Sequence, residues 1–190
     1  MPRPTLRVIP GGEGLDESDE HDVSPPASEP PDLGALFDAY ASYVGAIALR
    51  LVGRPDEVDD IVQEVFLAAH KGLKRVDSQP AVRKWLAKVT VRTTRRRLRT
   101  LRAKGFLGLG NDPEYESLAD HGASPEQRAL VAHVYEILDK MPSHNRVAWV
   151  LRYVEGHRLE EVAELSGCSL ATAKRRIAAA RDTLKDALES

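Results

Sequence analysis

LEEVAELSGCSLATAKRRIAAARDTL, residues 159–184, decides how the rest of the chain is read. It divides into two helical patterns joined by a tight turn. In the first, Leu159, Val162, Ala163 and Leu165 recur at helical spacing, with Glu160, Glu161 and Glu164 between them. Gly167 follows, a residue type that accepts the positive φ of a sharp helix end. Ser169 is placed to cap a second helix by accepting a bond from a free N–H of its first turn. Leu170, Ala173, Ile177, Ala180, Leu184 and Leu188 share one face of that helix. The opposite face carries Ala171, Thr172, Arg175, Ala178, Ala179 and Asp182, flanked by Lys174 and Arg176. Small residues let a helix sit deep in a major groove, and Arg bonds two acceptors on guanine. The stretch therefore predicts a helix-turn-helix with the second helix as the reader. Any helical hairpin shares this spacing, and surface Arg and Lys are commonly just a solvated face. The rest of the chain has to decide between the two readings.

Net charge is only −2, but the charges are segregated. Residues 1–32 carry Glu13, Asp16, Glu17, Asp19, Glu20, Asp22, Glu29 and Asp32 against Arg3 and Arg7. Across residues 71–104 every charged side chain except Asp77 is basic. A basic block inside a near-neutral chain points to a polyanionic partner. The single cysteine, Cys168, excludes an internal disulfide and a cysteine-built metal site. It falls in the turn between the two helices, where a small buried side chain fits. No apolar run reads as long enough for a signal peptide or a membrane span, so a cytoplasmic protein without membrane insertion is expected. No Gly-rich phosphate loop, His pair at metal spacing or nucleophile motif is found. His21, His70, His121, His133, His144 and His157 are scattered. The chain is expected to be no enzyme, with no catalytic residues, no metal and no cofactor.

Composition also sets the organisation. Residues 1–32 are rich in Pro, Gly, Ser and acid and are expected to form a disordered tail. Asp32 can cap a first helix, in which Leu33, Leu36, Phe37, Tyr40, Tyr43, Val44, Ile47, Ala48 and Leu51 form a stripe up to Gly53. Pro55 suits the first turn of a second helix. Its core face is Val58, Ile61, Val62, Val65, Phe66 and Ala69; Asp56, Glu57, Asp59, Asp60, Gln63 and Glu64 fill the other side. A third helix is expected from near Ala81, with Val82, Trp85, Leu86, Val89 and Thr93 buried. Beyond Thr94 it reads as a basic rod suited to a phosphate backbone, with Leu98 and Leu101 displaced to another side. Residues 105–123 read as a flexible acidic linker. Ser124, Pro125 and Gln127 then give a helix start with three agreeing signals. Leu130, Val134, Ile137, Leu138 and Met141 line that helix, and Val147, Val150, Leu151 and Val154 line the next, which ends at Gly156. The fold expected is all-α: one small helical domain over 33–104, a linker, and a second over 124–188 that holds the helix-turn-helix.

Two further stretches carry a family resemblance. RPDEVDDIVQEVFLAAHK, residues 54–71, resembles the polymerase-binding helix of sigma-70 family factors, and KWLAKVTVRTTRRRLR, residues 84–99, resembles the helix that follows it and handles the −10 promoter element. Residues 143–184 resemble the family's C-terminal DNA-reading domain almost throughout. A short chain with two helical domains resembles the extracytoplasmic-function subgroup. The resemblance implies a transcription initiation factor that binds core RNA polymerase, recognises −35 and −10 elements and promotes DNA opening. It places Asp59, Asp60, Gln63, Glu64 and Phe66 on polymerase. It places Lys74, Arg75, Lys84, Trp85, Lys88, Arg92, Arg95, Arg96 and Arg99 at −10 DNA, and residues 71–80 at a flipped base. Ser169, Ala171, Thr172, Lys174, Arg175 and Arg176 fall at −35 DNA. It also implies an anti-sigma partner and a linker that threads through the polymerase. Two positions depart from the family pattern: Arg92 stands where Asn is usual and Arg96 where Asp is usual. Arg96 also continues the buried stripe of Val89 and Thr93, so it must lie past the core edge or meet a carboxylate, for which Asp38 is a candidate. A stand-alone helix-turn-helix regulator would account for residues 144–188 but not for the acidic helix at 56–66.

Overall fold

The computed structural model describes residues 32–72, 78–107, 115–119 and 122–189, and every regular element among them is helical. Residues 1–31 of the tail, the loop positions Lys74 and Arg75, and residues 108–114 and 120–121 of the linker lie outside these residues. The chain runs through α1 (Leu33–Val52), α2 (Val58–Gly72), α3 (Gln79–Phe106), α4 (Pro125–Lys140), α5 (Ser143–Tyr153), α6 (Leu159–Ser166) and α7 (Leu170–Leu188).

The local signals act as their chemistry dictates. Asp32 caps α1, its carboxylate accepting from the N–H groups of Gly34 and Ala35. Gly53 ends α1 at φ 67° and sends its own N–H back to the Leu49 carbonyl. Pro55 opens a short 3-10 turn over Pro55–Glu57 ahead of α2. Ser124 closes a full capping box with Gln127 at the start of α4. Both hairpin predictions inside the helix-turn-helix hold: Gly167 sits at φ 62°, and the Ser169 hydroxyl accepts from the Thr172 N–H at 3.2 Å.

Four expectations change. The third helix starts at Gln79, and its burial does not stop at Thr94. Leu98 is buried and Leu101 packs on the core, because α3 lies between α1 and α2 on one side and α5 and α6 on the other. A helix flanked on two sides needs apolar residues off its first stripe, so the displaced leucines are core and not a fringe. Within the expected linker, Tyr115–Leu118 forms a 3-10 turn on α4, with Tyr115 buried against Tyr135 at 5.6 Å between ring centroids. α5 ends at Tyr153, three residues before Gly156, and leaves Val154 exposed, as Leu130 is on α4. Finally, α1 is long and apolar enough by length and composition to cross a membrane, with a mean hydropathy of 1.4. Its apolarity serves packing: Val44, Ile47, Ala48, Leu51 and Val52 are buried where α1 meets α2, α3 and α5.

Among the described residues the buried side chains form one continuous cluster running from α1 to α7. The join is made by Arg146 of α5, fully buried at 1% exposure. Its guanidinium donates to the Leu51 carbonyl at 3.1 Å, the Val52 carbonyl at 2.6 Å and Asp139 Oδ1 at 2.6 Å. The first two are among the carbonyls that a helix C-terminus leaves unpartnered. The Tyr135 hydroxyl donates to the Arg50 carbonyl at 2.7 Å, and Arg50 and Arg54 pair with Glu155 and Asp139. The C-terminal end of α1 is thus seated in a socket formed by α4 and α5.

Candidate nucleic-acid interface

Two basic surfaces are built from different helices. On α7, burial of Ala173, Ile177, Ala180 and Leu184 turns Ala171, Lys174, Arg175, Ala179 and Asp182 to the outside. Thr172 and Arg176 are half-buried at the edges of that face. Backbone bonds fix the turn ahead of it: Gly167 N–H to the Glu164 carbonyl and Cys168 N–H to the Ala163 carbonyl at 2.9 Å. The expected ends of the apolar face are looser, since Leu170 and Leu188 are partly exposed.

On α3, Lys84, Lys88, Arg92, Arg96 and Arg99 are exposed and Trp85 and Arg95 half-buried. They line two clefts. One lies between α3 and the helix-turn-helix, about 340 Å³, with Trp85, Lys88, Arg92 and Arg95 facing Leu165, Ser166 and Gly167. The other, about 550 Å³, is bounded by Lys71, Arg92, Arg95, Arg96 and Arg99, with Glu64 at its edge. Arg92 and Arg99 make no ion pair among the described residues. The concave basic wall can hold phosphate oxygens, and the Trp85 ring supplies an apolar face beside it.

The α3 surface meets the first helix of the helix-turn-helix. Arg95 donates to the Ser166 carbonyl at 3.3 Å, and Lys84 pairs with Glu164 at 2.9 Å. His144 of α5 lies in the positive field of both: burial lowers its pKa first, and the charges of Arg176, Arg95 and Arg175 lower it further.

α2 presents a third surface. Asp59, Asp60, Gln63 and Leu67 are exposed around a groove floored by Val62, Phe66 and Phe37. Phe66 is buried, its ring 4.9 Å from that of Phe37, so it shapes the groove from below instead of standing out of it. Arg96 meets a carboxylate as its position demands, but the partner is Glu64 of α2 and not Asp38. The sequence reading missed the Arg146 socket. The one signal for it was that Arg146 shares a helix side with Val150, four residues on.

Comparison with known proteins covers the same two halves. The family model for Sigma-70 region 2 matches residues 36–104, and that for Sigma-70, region 4 matches residues 132–184. The chain is 31% identical over 159 residues to the probable RNA polymerase sigma factor RfaY of Xanthomonas campestris, matching 82% of this chain and 40% of that one. It is 31% identical over 150 residues to the RNA polymerase sigma factor NccH of Alcaligenes xylosoxydans, matching 76% of this chain and 81% of that one. Among solved structures, CnrH in complex with the cytosolic domain of CnrY aligns with a TM-score of 0.53 at 26% identity, over 83% of this chain and 87% of CnrH.

Proposed function

Because the chain belongs to the sigma-70 family of RNA polymerase sigma factors, within the extracytoplasmic-function subgroup, we propose a specific division of labour among its three surfaces. α2 docks on core polymerase through Asp59, Asp60, Gln63 and Glu64, with Phe66 supporting the groove. α3 holds the −10 region through Lys84, Lys88, Arg92, Arg95, Arg96 and Arg99, with Trp85 available to stack on a base, and Lys74 and Arg75 serve the same region from the loop. α7 reads the −35 element, with Arg175 at the centre of the outward face and Ala171, Thr172, Lys174 and Arg176 around it; Ser169 holds its first turn. The tail over 1–32 and the linker over 105–123 bracket the 33–104 and 124–188 domains. The factor acts in the cytoplasm.

The observation that carries this reading is the combination of surfaces in one chain. A repressor built on a helix-turn-helix needs neither an acidic groove on α2 nor a second basic helix. An anti-sigma protein is a further partner, supported by the similarity to CnrH, which was solved with the cytosolic domain of CnrY; the groove on α2 suits an apolar helix with a basic edge.

Charge reversal tests the docking assignment. Asp60 is exposed and Glu64 half-buried at the surface of α2, so changing both to Lys presents a like charge to a basic partner while the buried Ile61, Val65 and Phe66 are untouched. The variant is expected to lose core binding in co-purification while its circular dichroism stays helical. Unchanged affinity for core would refute the assignment.

A further inference from the structure

Two of the three acids assigned to polymerase, Asp60 and Glu64, are already occupied. Glu64 pairs with Arg96 of α3, and Asp60 and Glu57 both pair with Arg97. Arg97 is the better held of the two arginines. Its side chain is 24% exposed and that of Glu57 16%, against 63% for Arg96 and 41% for Glu64. Arg97 Nε and Glu57 Oε2 face each other as a charge pair without the alignment of a hydrogen bond. Burial pulls the Arg97 pKa down, but Glu57, Asp60 and Glu64 outweigh it and hold it above its ordinary value. The docking helix therefore screens two cations of the helix assigned to −10 DNA.

We propose that the carboxylates of α2 serve two partners in turn: Arg96 and Arg97 in the free chain, and a basic surface of core polymerase in the complex, so that docking releases both arginines to DNA phosphate. The proposal rests on the docking and −10 assignments above. A carboxylate bonded to one guanidinium has less to offer a second cation, so the two pairings compete. The exchange costs little because it replaces one ion pair by another at the same surface. Arg96 exchanges first, being the more exposed and held by one acid. Competition of this kind is reciprocal: whatever weakens the hold of Arg96 and Arg97 on α2 strengthens α2 toward polymerase. It also accounts for a basic block placed against acids. The free factor attracts DNA less than its arginines alone would, and polymerase restores the attraction at the promoter.

The test is the affinity of the full chain for core polymerase, with arginines removed from the face that does not touch it. Arg96→Gln with Arg97→Gln leaves Glu64 and Asp60 unpaired. Exposed pairs are weak and screened by salt, so core affinity is expected to rise about three- to tenfold at low ionic strength, with the gain disappearing at high salt. Arg102→Gln removes a cation of the same helix that faces no α2 acid and is expected to give no such gain. Arg97 is partly buried, so Arg96→Gln alone decides if the double variant loses helicity; a gain of about two- to threefold is then expected. In the reciprocal arm, Glu64→Gln raises the affinity of the free chain for non-promoter duplex and steepens its salt dependence. Core affinity unchanged or weakened in the arginine variants, or raised equally by Arg102→Gln, would overturn the exchange while leaving the docking assignment intact. Normal core binding by the Asp60→Lys, Glu64→Lys variant would overturn both.

Discussion

Arg146 shows how much can rest on one side chain. It is a charge buried between two halves of the molecule, and it answers two helix-end carbonyls and one carboxylate at once. Arg146→Ala leaves all three acceptors without their donor and is expected to cost about 3 kcal/mol, read from urea unfolding. Arg146→Lys is expected to recover only part of this, because an ammonium lacks the planar fork that spans two carbonyls. A loss under about 1 kcal/mol in the Ala variant would show that water replaces the guanidinium at no great cost. Gly53 is the counterpart: a Cβ there would lie 2.6 Å from the Tyr135 ring and 2.9 Å from Arg146, at a φ of 67°. Neither residue stood out from the sequence for this role. Gly53 reads as an ordinary helix end. An arginine on a helix reads as solvated, and Arg146 has Val150 four residues on but polar Ser143 three residues before it.

At the scale of the elements, the capping residues were legible because their chemistry is local. Asp32, Ser124 and Ser169 each bond to an N–H within three residues. The helix-turn-helix was legible for the same reason. What sequence could not show was long-range: that α3 has neighbours on two sides, which buries Leu98, and that Arg96 finds Glu64 thirty-two residues away. The same contact region carries a pH dependence. His144 has its pKa lowered in the folded chain by burial and by Arg176, Arg95 and Arg175. Of these causes, the Arg95 charge comes from across the contact with α3, so protonating His144 favours opening to that extent. The α3–α6 contact should therefore be complete above the ordinary histidine value, near 6.5, and weaken as pH falls below it. Small-angle scattering is expected to give a larger radius of gyration at pH 5.5 than at pH 7.5, and His144→Gln to remove the difference. Equal radii in the parent chain would mean that His144 does not sense this contact.

In the whole molecule α3 is held against the helix-turn-helix, which the proposed division of labour does not allow to last. Arg95 of α3 bonds Ser166 in the helix-turn-helix. Elements at −35 and −10 lie roughly 25 base pairs apart, about 85 Å at 3.4 Å per pair. On the proposed assignments, no single duplex can present both elements to α3 and α7 while α3 is held on α6, so the two helices must separate on the promoter. The halves are joined by apolar packing of α3 on α5 and α6 and by polar contacts: the Arg146 socket, two ion pairs from Arg50 and Arg54, and the Arg95 and Lys84 contacts.

Specificity follows from the same layout. Under the proposed assignments, Arg175, exposed at the centre of the outward α7 face, would make a bidentate base contact, whereas the exposed Arg92 and Arg96 of α3 would favour phosphate over base edges. The most direct measurement is run-off transcription by purified core polymerase, with and without the chain, from a template library randomised at both elements. The account predicts start sites that depend on the chain, a strict −35 requirement that relaxes at one position in Arg175→Ala, and broader tolerance at −10. Transcription no greater than that of core alone would contradict it.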